Sequence, residues 1–125
     1  MKISRWQTSA LAIVLGGLAL TVTLVATQDS ASVATFKQTK QCSGCDLKGA
    51  QLMGMQAPDA QLQNADLSDA SFYGGNLRGA DLTGAILDRT NLEMVDLTGA
   101  FGAILGPART DDRTTCPDGS AGPCS

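Results

Sequence analysis

Between Cys45 and Gly99 a large apolar residue returns at every fifth position: Leu47, Leu52, Leu62, Leu67, Phe72, Leu77, Leu82, Leu87, Leu92 and Leu97, with Ala57 as the one small substitute. Two residues before each stands a second, smaller one: Cys45, Ala50, Met55, Ala60, Ala65, Ala70, Gly75, Ala80, Ala85, Thr90 or Val95. Residues two apart on an extended segment share a face, so both slots point inward. The remaining three positions are mostly Asp, Asn, Gln, Ser, Thr, Lys, Arg and Gly, which suit turns and solvent. The pattern describes a chain that bends every five residues, with glycine recurring at the bends.

A helix does not fit this period, because a step of five turns each Leu by about 140° and smears the stripe over every face. Separate hairpins do not fit either, since five residues including the bend leave too little strand. A fixed short period is instead the mark of stacked coils. Units such as Ala65-Asp66-Leu67-Ser68-Asp69, Ala80-Asp81-Leu82-Thr83-Gly84 and Val95-Asp96-Leu97-Thr98-Gly99 resemble the pentapeptide-repeat family, with its A-[D/N]-L-x-x unit. The resemblance implies an all-β fold, a right-handed quadrilateral parallel β-helix with twenty residues per coil. The repeat would then make about three coils, a body roughly 14 Å long. The lead-in Thr39-Lys40-Gln41-Cys42-Ser43-Gly44-Cys45-Asp46-Leu47 is similar to that of exported or lumenal members from cyanobacteria and other bacteria.

A twenty-residue coil makes residue-level predictions. Met55 is oversized for its slot, but Ala57 in the same unit is undersized and Gly75 follows twenty residues later, so volume is traded within one face. Asp69 and Arg89 stack as a cross-coil ion pair, while Asp46 and Asp66 place like charges together.

Outside the repeat the pattern changes. Lys2, Arg5 and Trp6 precede an uncharged run from Ala10 to Ala26, which reads as a hydrophobic helix serving as a signal peptide or membrane anchor over residues 1–27. If it is not cleaved, residues 10–26 hold the protein to a membrane. In either case the repeat is exported, to a periplasm or a thylakoid lumen. Residues 28–41 read as a linker in which Phe36 can cover the open end of the first coil. Residues 42–105 form the β-helix with its end caps, closed by Phe101, Ile104 or Leu105, and Pro107 stops the coiling. Residues 106–125 are then a polar tail carrying Cys116 and Cys124.

Charge narrows the partners. Beyond Ala26 there are twelve acidic side chains against seven basic, the nine of the whole chain less Lys2 and Arg5, and there is no histidine. Such a surface repels nucleic acid. Four cysteines suit an oxidising compartment. A local Cys116–Cys124 bridge is the shortest closure, while Cys42 and Cys45 fall on inward slots and either bridge each other or pack as small core residues; a tail that doubles back would cross-link the two ends instead. A zinc site would need both ends to meet, and the Asp residues are spread around the coil rather than gathered in a calcium loop. No metal or other cofactor is expected.

Nor do the recurring Asp, Ser and Thr residues form a catalytic set, because the period itself accounts for them. The chain reads as a non-catalytic structural or protein-interaction module with an unknown protein partner or self-association. Its candidate contact surface is the outward cluster Met53, Tyr73 and Met94, with Ile86 on the neighbouring side. The alternative that the resemblance implies is an acidic DNA-mimic regulator of a DNA-binding enzyme such as a topoisomerase. The export segment, the short stack and the lack of a dimer-forming helix after the coils count against it.

Overall fold

The computed structural model describes residues 30–125 and, by backbone alone, the strands β1 (Ala12–Leu15) and β2 (Leu18–Thr21). These two strands pair antiparallel, with Ala12 opposite Thr21 and Leu15 opposite Leu18. This corrects the expected hydrophobic helix over that part of the chain. The physical reason lies in the sequence, where Gly16-Gly17 separates two apolar runs containing Ile13, Val14 and Thr21; a Gly-Gly pair is a two-residue hairpin signal and a poor helix interior. The rest of the 1–27 segment lies outside the described residues. Among the described residues no helix is long and apolar enough to cross a membrane.

The expected linker contains a helix, α1 (Ala31–Thr39), begun by the Ser30 side chain accepting from the Val33 N–H and ended by Lys40 in the left-handed conformation. Its buried side chains are Val33 and Phe36. Phe36 meets Phe72 edge-on, ring centroids 6.2 Å apart. The helix thus covers the N-terminal end of the core, as the isolated aromatic in that stretch suggests.

From Gln41 onward the chain winds in coils of twenty residues. Gln41 bridges Gln61, Asp46 bridges Asp66, Gln51 bridges Ser71 and Gln56 bridges Asn76, and the same parallel register continues to Asp81 and Phe101. The Leu47 N–H donates to the Asp66 carbonyl and the Asp66 N–H donates to the Cys45 carbonyl, both at 2.9 Å. Four five-residue sides make each coil, and the inward ladder of Leu47, Leu52, Leu62, Leu67, Phe72, Leu77, Leu82, Leu87, Leu92 and Leu97 is buried throughout.

The corners follow one recipe. The Ala50 N–H donates to the Leu47 carbonyl at 3.0 Å, and Gly49 between them has φ +68°, the arrangement of a type II turn. Asp59, Asn64, Asp69, Arg89 and Met94 take the same left-handed corner position with φ between 54° and 59°. Asp and Asn at the head of the side secure it: Asp46, Asp66, Asn76, Asp81, Asn91 and Asp96 each accept from the N–H two residues on.

The C-terminal end differs from expectation. The chain passes Pro107 and continues on the stack, with Arg109 bridging Asn91 and Thr115 bridging Asp96. The Arg89 N–H donates to the Pro107 carbonyl at 3.0 Å and the Gly99 N–H to the Pro117 carbonyl at 2.8 Å. Proline lacks a donor but keeps its acceptor, and the ladder draws only a carbonyl from this position: Ser68 and Asp88 serve Gly49 and Asp69 in the same way. Much of the segment expected as a polar tail, residues 106–125, is therefore a partial fourth coil. Of the three proposed closing residues, Leu105 is buried, whereas Phe101 and Ile104 are 54% and 75% exposed.

Candidate functional site

The side chains with chemistry are mostly committed to holding the coils. Hydrogen bonds from the hydroxyl and backbone of Ser68, Thr83 and Ser120 hold the Asp66, Asp81 and Asp118 carboxyls below the usual range, and Thr98 does the same for Asp96. Asp69 is lowered by its bond to Arg89, and Asp111 chiefly by the Met94 N–H, 3.0 Å from its Oδ1. Two buried hydroxyls, Thr90 and Thr114, stand in small slots and donate to the Leu67 and Leu92 carbonyls at 2.8 and 2.9 Å. Among the described residues no group of three or more metal-ligating side chains gathers.

The candidate contact surface is made by the corner that carries Met53-Gly54, Tyr73-Gly74 and Glu93-Met94. The Gly54 N–H donates to the Tyr73 carbonyl and the Gly74 N–H to the Glu93 carbonyl, 2.8 and 3.0 Å, so the three corners lie directly one over another. Met53 is 65% exposed, Tyr73 39% and Met94 36%. Ile86, 45% exposed, bridges Asp66 on the neighbouring side. Phe101 and Ile104, expected among the residues that cap the open end, add outward apolar area instead. The place of Phe101 follows from the period, since it continues the outward column of Gln61 and Asp81.

Two disulfides are present, Cys42–Cys45 and Cys116–Cys124, with Cα atoms 5.2 and 5.5 Å apart. Their places are related. Cys42 takes the first large slot, five residues before Leu47, and Cys116 follows Thr115, the partner of Asp96, and so lies over Leu97. The first and last rungs of the inward ladder are thus cysteines, at the ends where the core has a neighbouring coil on one side alone. A shallow cavity of about 330 Å³ lies beside the second bridge, lined by Ala103, Leu105, Pro117, Asp118 and Pro123 among others.

Comparison with known proteins places this geometry. No curated protein matches the chain. A pentapeptide repeat protein from Nostoc PCC 7120 is similar at 26% identity, over 76% of this chain and 87% of its own, with a TM-score of 0.52. A second, from the cyanobacterium Cyanothece 51142, is 20% identical over 66% of this chain and 95% of its own, TM-score 0.46. A pentapeptide repeat protein from the Arabidopsis thaliana thylakoid lumen is 29% identical over 61% of each chain, TM-score 0.30. The family model for pentapeptide repeats matches residues 41–72 and 65–101 in eight copies. With its twenty-residue coils and type II corners, the chain belongs to the pentapeptide-repeat family.

Proposed function

We propose that the protein is an exported, non-catalytic protein-interaction module, a right-handed, four-sided solenoid that presents the Met53–Tyr73 corner to a protein partner. The observation that carries this reading is the stacking of Met53 under Tyr73, on the position that elsewhere holds Lys48, Gln63, Ser68, Arg78 and Thr83, with Met94 beside them on the corner position that elsewhere holds Gly49 or Asp69. A polar repeat gains nothing in folding from exposed Met and Tyr, and clustered exposed apolar residues mark contact surfaces. Tyr adds an amphipathic ring of the type enriched at interfaces.

In this reading residues 1–27 are the export segment and residues 42–117 the displayed body, delivered to a periplasm or lumen. Two disulfides support an oxidising destination. The excess of carboxylates opposes a nucleic-acid partner. The test replaces Tyr73 and Met94 together by Ser and compares captured partners and oligomeric state with the native protein. Loss of a specific partner supports the reading. An unchanged partner set and unchanged oligomeric state contradict it.

A further inference from the structure

We propose that the Cys42–Cys45 disulfide is a thiol-exchange site, opened by a dithiol reductant at Cys45 and felt by α1 through Cys42. The pair spans one corner of the first coil, joining a large slot to the small slot of the next unit; the same step elsewhere runs from Leu47 to Ala50 or from Leu62 to Ala65 without a covalent bond. This corner is also closed without it. The Cys45 N–H donates to the Cys42 carbonyl at 3.2 Å, and Cys42 and Gly44 donate to Gln61 and Gln63, both at 2.7 Å. A bridge with sequence separation 3 constrains the unfolded chain less than the Cys116–Cys124 bridge with separation 8. What distinguishes it is its position beneath α1.

The two sulfurs differ in access. Cys45 is partly exposed, Ser43 and Gly44 beside it are exposed, and nothing lies within 4 Å of where a Gly44 Cβ would stand. Cys42 is buried, its Sγ 3.6 Å from the Ser32 carbonyl in the first turn of α1. A reductant thiolate attacks Cys45 Sγ; the Cys42–Cys45 bond breaks, and Cys42 leaves as a thiolate and takes a proton. The reductant's second thiolate then attacks its own bridged sulfur, and Cys45 leaves and is protonated in turn. The reductant becomes a disulfide, and the cysteine pair gains two electrons and two protons. The Cys42 Sγ faces the Ser32 carbonyl, an acceptor that does not stabilise a thiolate, so the pair is a substrate of exchange and not an oxidoreductase centre.

Reduction adds bulk under the helix, since two unbonded sulfurs stand at van der Waals distance, and an already filled site accommodates extra volume by displacement. At nine residues α1 is too short to persist undocked, and it is held through Val33 and Phe36. Opening of the bridge therefore loosens α1 while the coil ladder, which does not run through sulfur, stays closed. The proposal is independent of the Met53–Tyr73 reading.

The experiment titrates the full chain with dithiothreitol under native conditions, traps thiols with iodoacetamide, assigns them by peptide mass, and follows hydrogen exchange in parallel. The expected result is alkylation of Cys42 and Cys45 before Cys116 and Cys124. Exchange at the Ala34 and Lys40 amides should rise with it on the order of tenfold, with the Leu67 amide unchanged. In the C42A/C45A variant, α1 exchange should no longer respond to the reductant. Earlier opening of Cys116–Cys124, unchanged α1 exchange, or opening of the Leu67 amide together with α1 would overturn it.

Discussion

Arg89 grips Asp69 across one coil, its Nε donating to Oδ1 at 2.7 Å and its Nη2 to Oδ2 at 2.9 Å. Both residues occupy left-handed corners, φ 54° and 58°, where most equivalent positions hold glycine. The twenty-residue repeat brings them into a bidentate geometry that planar guanidinium and carboxylate groups favour. The same bond holds the Asp69 carboxyl below its usual range. We therefore expect a carbon-detected NMR titration to find Asp69 ionising below about 3.9, and returning toward that value in Arg89→Met. An Asp69 titration that is the same in both proteins would contradict this.

Acid should weaken the coils for a related reason. Asp66, Asp81 and Asp96 have folded-state pKa values depressed by hydrogen bonds from Ser68, Thr83 and Thr98. A depressed carboxylate contributes stability that is complete above its unfolded value and is lost as pH falls through the folded one. The urea midpoint should be flat from neutrality to about pH 5 and decline below about pH 4. Thr83→Val and Thr98→Val, which remove two of the hydroxyl donors, should make that decline shallower. A midpoint that rises on acidification would reverse the sign of the argument.

Gly75 offers a test of packing that runs against the repeat. Most units place Ala in this slot, but a Cβ at Gly75 would come 2.8 Å from the Phe72 carbonyl oxygen and 3.0 Å from that of Met55. Both contacts are backbone, so relief requires the coil itself to move. Gly75→Ala, nominally a step toward the family pattern, should destabilise by roughly 1–3 kcal/mol in urea unfolding. A stabilised variant would show that the first two coils have slack at this face.

The fold was legible where the period acts on each unit alone. The ten-rung ladder, the Asp69–Arg89 pair and the five-residue bends all follow from a slot's apolarity or from a twenty-residue offset. Elsewhere a residue's meaning depends on context that the repeat does not carry. Pro107 is a breaker in a helix or a central strand, yet its corner position supplies only an acceptor to the ladder. Ser30, Val33 and Phe36 carry a cap and an i, i+3 apolar pair, but their stretch is too short to declare a helix without the core end it covers. Gly16-Gly17 lies within an uncharged apolar run, whose length suits a helix, while the pair itself signals a hairpin. Of the candidate surface, the exposure of Met53 and Tyr73 and the outward place of Phe101 could be read from the period, whereas Ile104 lies where the five-residue pattern has broken.

The central claim, an exported and disulfide-closed solenoid, is tested most directly by cell fractionation followed by intact mass, before and after reduction. The account predicts recovery outside the cytoplasm and a mass that rises by four hydrogens on reduction, one pair for each bridge. Recovery from the cytoplasm with four free thiols would contradict it.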